Sequence, residues 1–316
     1  MNKNLTRLLW RHYGKRLTAI SAIALLAVLF LALSDTGSWS VKPGTNLFSN
    51  QITKWEVYSS GAGYGTLALY SNGLWFIYWL TGVLLMQSDL KDNFNQFLFT
   101  SGYRRSAIYW HKLLIGVGTL LALTVLTSLI HFGIYWLKLD SQVVINLAWP
   151  GLLTSWAMGL ATSLGAFAIT WFASLIIGQT GPLLVTAAGF TFSLIGVGGF
   201  ISTQTLKYDL SMSVRNWLTI GVWTAGVVVL LLWGAWLYNR LPLENNGKYL
   251  MFPGLRVPVY VVFVTYMTFL FAGNGEYLIP TLSVAIISAA FGYCWLWWPE
   301  IMDRRHRRHV TVKGGK

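Results

Sequence analysis

Long apolar runs separated by short polar stretches dominate the pattern along this chain. A membrane-spanning helix needs about 20 predominantly apolar residues. Eight runs approach or exceed that length: Leu17–Leu33, Leu67–Met86, Leu113–Leu137, Pro150–Ile177, Pro182–Ile201, Trp217–Tyr238, Val257–Ala272 and Tyr277–Trp298. The pattern predicts an all-α polytopic membrane protein with about eight transmembrane helices, of which the seventh is the shortest.

Composition agrees with that class. Hydrophobic residues make up 55% of the 316 residues and charged residues only 10%, whereas a soluble domain is about a quarter charged. The net charge of +13 does not indicate a nucleic-acid partner, because the basic residues concentrate at the ends of apolar runs. The single cysteine, Cys294, excludes an intrachain disulfide.

The distribution of basic residues also predicts the topology. If the N-terminus is inside, 18 of the 23 Lys and Arg residues fall on the inner side. The positive-inside rule then predicts that both termini are cytoplasmic. A cleaved signal peptide is the alternative for the first run, but the sixteen residues before its apolar core are many for such a peptide, and a retained anchor is favoured.

Residues 1–16 have the pattern of an amphipathic entry helix at the membrane interface, with a simple basic anchor as the alternative. Its leucines and its basic residues fall on different faces: Leu5, Leu8 and Leu9 on one, and Arg7, Arg11 and Lys15 on the other. Segment 34–66 is the only long outer segment and could cover an opening or contact a partner. Segment 299–316 is a basic cytoplasmic tail that should attract anionic lipid headgroups.

Small residues recur in the fourth run, where they let helices approach closely. They are Ala157, Gly159, Ala161 and Gly165. They predict a packing face, either within the subunit or at a dimer interface. In the fifth run, Gly196–Gly199 could break the helix near its outer end, although close helix packing is the favoured reading.

The chain lacks the patterns of common catalytic sites. No P-loop, H-E-x-x-H, G-x-S-x-G or cysteine–histidine metal spacing occurs, so no catalytic residue, metal ligand or cofactor is predicted. All ten acids lie in loops or at the ends of runs, which predicts that no carboxylate is buried to relay protons or bind cations. The lack of such groups favours either a separate protein that supplies the energy for transport or a passive role for this chain.

The segment between the second and third runs, 87–112, is polar and has an ordered pattern. Asp89 and Asp92 come first, followed by an amphipathic turn and a basic pair. The apolar residues of the turn are Phe94, Phe97 and Leu98, and the basic pair is Arg104 and Arg105. Such a loop predicts that something docks on the inner face.

This segment resembles the cytoplasmic loop of ABC-2 type transporter permeases. That family shows an acidic residue after the second span and then a pattern like L-x-T-x-P-x-[SR]-R-x-x-I-x-x-x-K-L. This chain has Asp89, Phe97-Leu98-Phe99-Thr100, Arg104-Arg105, Ile108 and Lys112-Leu113, with Ser101-Gly102 in place of the proline-bearing turn. The resemblance covers residues 1–240 as a six-span core, and 241–298 resembles the linker and appended helix pair of eight-span Gram-positive relatives.

The resemblance implies the permease subunit of an ATP-binding cassette exporter in the plasma membrane of a bacterium. Such a subunit pairs with a second permease, the same or homologous, and docks on separate cytoplasmic ATPase subunits that carry ATP and Mg. Its substrate would be an amphipathic peptide, a lipid or a cell-envelope intermediate. By the same resemblance, Phe94, Phe97 and Leu98 form the docking ridge, and Asp89, Asp92, Arg104 and Arg105 make flanking ionic contacts. A passive scaffold or sensor is the alternative function; a membrane-embedded enzyme is disfavoured.

Overall fold

The computed structural model describes residues 3–34, 66–138, 151–206, 211–245, 248–272 and 278–313. The long outer segment 34–66 lies almost wholly outside the described residues, and so do the side chains of the basic tail 299–316. The helices are α1 Lys3–Ser34, α2 Thr66–Lys91, α3 Phe94–Thr100, α4 Arg105–Lys138, α5 Gly151–Ile176, α6 Thr180–Leu206, α7 Met212–Asn239, α8 Arg256–Ala272 and α9 Leu278–Lys313. No strand occurs in this part of the chain beyond an isolated bridge between Ile177 and Leu250. The prediction of an all-α protein is confirmed.

Six helices are long and apolar enough to cross a membrane within the described residues: α1, α4, α5, α7, α9 and the segment Pro253–Phe271, which includes all of α8 except Ala272. The shortest predicted run is therefore among them. α2 and α6 extend over residues whose side chains are not described, and the apolar stretch of α6, Thr180–Leu194, is shorter. The described residues thus contain six candidate spans, compared with the eight predicted.

Two element boundaries differ from the prediction, and a third agrees with it. α1 is a single helix, so no break separates an entry helix 1–16 from the first span. A lone glycine, Gly14, does not interrupt it, because one glycine inside a long helix costs only about 1 kcal/mol relative to alanine. α6 runs unbroken through Gly196–Gly199, so the less favoured alternative of a helix break there is not observed. The predicted loop 87–112 is mostly helix, since α2 extends to Lys91 and α4 already begins at Arg105.

α5 occupies the centre of the bundle and packs against α2 and α7, while α1 packs against α4 and α2. α2 lies close against α5 at Gly82, where a Cβ atom would stand 2.7 Å from the carbonyl oxygen of Phe167. Beside it, the hydroxyl of Thr170 donates to the carbonyl of Trp79 at 2.9 Å. A side chain at Gly82 would therefore push the two helices apart.

The small residues of the fourth run lie within the subunit. Gly165 contacts the ring of Trp223 on α7 so closely that a Cβ atom would overlap it. Ala157 and Ala161 pack in the same region, in a cluster with Ile220 of α7. Gly159 is also buried. The described contacts therefore use this face to join α5 to α7.

Helix ends meet in two groups at opposite ends of the bundle. At one end, Lys138 of α4 donates to the carbonyl of Leu33 of α1 at 3.3 Å. At the other, Gln87 of α2 donates to the carbonyl of Ile177 at 3.0 Å, and the amide of Met251 donates to Ile176 at 2.8 Å. This second end, which also holds α3, is called the docking end below.

Candidate functional site

α3 is a seven-residue helix held between two tight turns at the docking end. Asn93 precedes it with φ 53°, and Gly102 follows it with φ 79°, both in the left-handed region. Asn and Gly adopt this region at lower cost than other residues. Gly102 thus makes the turn that follows α3.

A buried ion pair lies directly behind α3. The Nζ of Lys112 on α4 is 2.6 Å from Oδ2 of Asp89 on α2, and both side chains are almost fully buried, at 1% and 0% exposure. The same ammonium donates to Oδ1 of Asn95 on α3 at 2.6 Å and to the hydroxyl of Tyr238 on α7 at 3.0 Å. Since an ammonium group has three donors, all of its hydrogen-bonding capacity is used.

The network extends to α1 through the carboxylate. The hydroxyl of Tyr13 donates to Oδ2 of Asp89 at 2.5 Å, and Nε2 of His12 stands 3.4 Å from the other oxygen, Oδ1. The Tyr238 hydroxyl, which accepts from Lys112, donates in turn to Oδ1 of Asn95 at 2.9 Å. We call Tyr13, Asp89, Asn95, Lys112 and Tyr238 the buried polar cluster. It joins α3 to α1, α2, α4 and α7.

The sequence prediction for Asp89 is wrong in placement. Asp89 was expected to make an exposed ionic contact, and no buried carboxylate was expected at all, yet its side chain is completely enclosed. The reason is that α2 extends beyond its apolar run, and the first turns of α1 cover the extension. Sequence reasoning also missed Tyr13, Asn95 and Tyr238, whose polar atoms meet only after distant helices pack together.

The apolar ridge predicted on α3 is divided between two faces. Phe97 is 54% exposed, whereas Leu98 is fully buried. Phe94 is half-buried; its ring stacks on His12 with centroids 3.8 Å apart and on Phe97 at 6.0 Å. Leu98 follows Asn95 by three residues and shares its inward face. Of the predicted ridge, Phe97 is therefore exposed, Phe94 is exposed in part, and Leu98 is not exposed.

The remaining predicted charges also have different roles. Arg104 is exposed, and Asp92 pairs with Arg16 of α1 at 2.9 Å on the surface. Arg105 instead donates to the carbonyls of Asn239 and Leu241 at 3.1 and 3.3 Å. It therefore fastens the start of α4 to the end of α7, and only Arg104 and Asp92 remain as surface groups.

Comparison of the chain with protein-family models, with curated proteins and with solved structures finds no match. Among the described residues, no three His, Cys, Asp or Glu side chains are grouped so that they could hold a metal ion. The fold and the site define the class: an α-helical protein with several helices able to span a membrane, in which the short helix α3 is joined through Asn95 to a buried polar cluster shared by four long helices.

Proposed function

We propose that this chain is the permease subunit of an ATP-binding cassette exporter and that α3 is its coupling element. The observation that carries the proposal is the exposed Phe97 on a helix held by the buried polar cluster. The chain would span the membrane eight times with both termini in the cytoplasm. A separate ATPase subunit, with ATP and Mg, would supply the energy.

A coupling element must transmit displacement, and the fastening of α3 gives it that property. A helix of seven residues is too short to be stable alone, so its position depends on its contacts. The α3 side chain Asn95 accepts hydrogen bonds from the buried ammonium of Lys112 and from the hydroxyl of Tyr238, and taking a partner away from a buried charged group is strongly unfavourable. A force applied to α3 would therefore move α1, α2, α4 and α7 rather than detach α3 from them.

Three further features support the proposal. The Gln87–Leu114 segment resembles the family pattern, including a left-handed Gly102 in its turn. The charge distribution predicts that the docking end is cytoplasmic. The exposed faces of the spanning helices are apolar, which suits contact with membrane lipids and with a second permease subunit. The proposed substrate is an amphipathic peptide, a lipid or a cell-envelope intermediate, and the proposed location is the plasma membrane of a bacterium.

The first test is purification of the full chain from its native membrane, with and without Phe97→Asp. An ATPase subunit should accompany the wild-type chain, and Phe97→Asp should remove it because a charge replaces the exposed apolar contact. Phe97→Leu is the matched control and should retain the ATPase. Leu98→Asp is unsuitable as a docking test, because it would place a charge in the core and unfold the site.

Two outcomes would count against the proposal. If the wild-type chain carries no ATPase, the passive scaffold or sensor becomes the better description. If Phe97→Asp retains the ATPase at the wild-type level, α3 is not the docking element.

A further inference from the structure

The first half of α1 carries an exposed row of four basic side chains. They are Lys3, Arg7, Arg11 and Lys15, each four residues after the previous one, and all are exposed. Residues four apart lie on the same side of a helix. The ion pairs found among the described residues involve His12, Arg16 and Lys112 and none of these four. We call them the cationic row.

The row faces outward because the opposite side of α1 is covered by the protein itself. Leu5, Leu9 and Tyr13 are at most 1% exposed and belong to the same core cluster as Leu98 and Leu241. α1 therefore cannot rotate to neutralise the row without opening the core. Like charges four residues apart destabilise a helix, so the row is unfavourable for the chain on its own.

The length of α1 helps to distinguish a lipid from a protein as the partner. α1 is unbroken, and its apolar run begins at Leu17. At 1.5 Å per residue, Lys3 stands roughly 18 Å beyond Lys15 along the helix axis, and a typical tilt of about 20° shortens that height by only a small fraction. The headgroup layer of one leaflet is about 5–8 Å thick. Lys15 and Arg11 can reach lipid headgroups, but Arg7 and Lys3 extend into the aqueous phase.

We infer that the cationic row is the electrostatic part of the docking surface and contacts an acidic surface of the ATPase subunit. This inference rests on the proposed function. α1 is linked to the exposed Phe97 by the ring stack of His12, Phe94 and Phe97, so a partner that contacts Phe97 arrives beside α1. Complementary charge accelerates association and fixes the orientation of partners, while Phe97 supplies the apolar contact.

The test measures binding of the ATPase subunit, identified by co-purification, to the full chain in nanodiscs of zwitterionic lipid at increasing salt. Replacing all four row residues by Gln should weaken binding at low salt at least about tenfold and flatten its dependence on salt, because exposed charges are screened. The charge-conserving variant K3R/R7K/R11K/K15R should bind like the wild type. The matched control, R304Q/R305Q/R307Q/R308Q, removes the same charge from the basic tail and should have little effect. Unchanged thermal unfolding of all the variants would show that the fold is retained.

Each alternative result has a distinct meaning. An equal loss in the tail variant would show a general effect of net charge and overturn the row as a specific contact. Unchanged ATPase binding by the four-fold Gln variant would also overturn it. In that case, weaker retention of phosphatidylglycerol when the variant is purified from vesicles containing that lipid would identify lipid as the partner instead. If Phe97→Asp loses ATPase binding while the four-fold Gln variant binds the ATPase like the wild type, this inference alone is overturned. Failure of the wild-type chain to bind any ATPase would overturn the proposed function together with it.

Discussion

At the scale of single residues, the Lys112–Asp89 pair has the largest consequences. Both charges are removed from water, which is unfavourable unless each is paired and hydrogen-bonded. Lys112 meets that condition with contacts to Asp89, Asn95 and Tyr238. A replacement of one partner therefore affects more than one contact, because it leaves the other charge buried and unpaired.

Lys112→Met should lower the free energy of unfolding by about 3–5 kcal/mol, the usual effect of leaving a buried charge without its partner. Met keeps most of the length of the Lys stem, so the change tests the charge rather than the packing. Unfolding in detergent would measure it. Lys91→Met, at an exposed position near the end of α2, is the control and should stay within about 0.5 kcal/mol of the wild type.

The double variant Lys112→Met with Asp89→Leu gives the complementary result. It should recover part of the lost stability, because neither charge is then left unpaired in the core. If the single and double variants are equally destabilised, the pair does not contribute through its charges.

At the scale of elements, short side chains set the distance between helices. Gly82 allows α2 to lie against the backbone of α5 at Phe167. A backbone carbonyl cannot turn aside as the end of a flexible side chain can. Gly165 of α5, by contrast, lies against the ring of Trp223.

Gly82→Ala should destabilise the protein by about 1–3 kcal/mol, the typical effect of overpacking a well-packed core. Gly118→Ala is the matched control, since no atom outside the local backbone lies within 4 Å of its added Cβ. It should leave the thermal unfolding temperature unchanged or slightly higher. Similar losses in both variants would indicate a general intolerance of alanine rather than close packing at Gly82.

At the scale of the whole molecule, alternating helices bring their ends together in two groups. Contacts at the docking end join residues far apart in the chain, such as Gln87 with Ile177 and Arg105 with Asn239. Lys138 and Leu33 meet at the opposite end. The grouping agrees with the alternation of inner and outer segments predicted from the basic residues.

Single cysteines introduced into a Cys294→Ser background should report this arrangement in oriented vesicles. Ser101→Cys and Gly181→Cys, both exposed at the docking end, should react with an impermeant maleimide from the same side. Leu137→Cys, 83% exposed near the other end of α4, should react only from the opposite side. Labelling of Ser101→Cys from the vesicle side that corresponds to the cell exterior would reverse the proposed orientation. Labelling of all three cysteine variants from the same side would contradict the fold.

The sequence by itself determined the class of the protein and where its polar elements fall along the chain. Hydropathy and charge act locally, so the apolar runs predicted most of the spanning helices, and the Phe94–Arg105 region was predicted to carry an amphipathic turn. Only the tertiary structure decided which of those residues face a partner. Leu98 and Asp89 face inward because Tyr13 and Tyr238, 76 and 149 positions from Asp89 along the chain, complete the buried polar cluster around them. Packing between such distant residues depends on how the long helices assemble, which no local pattern records.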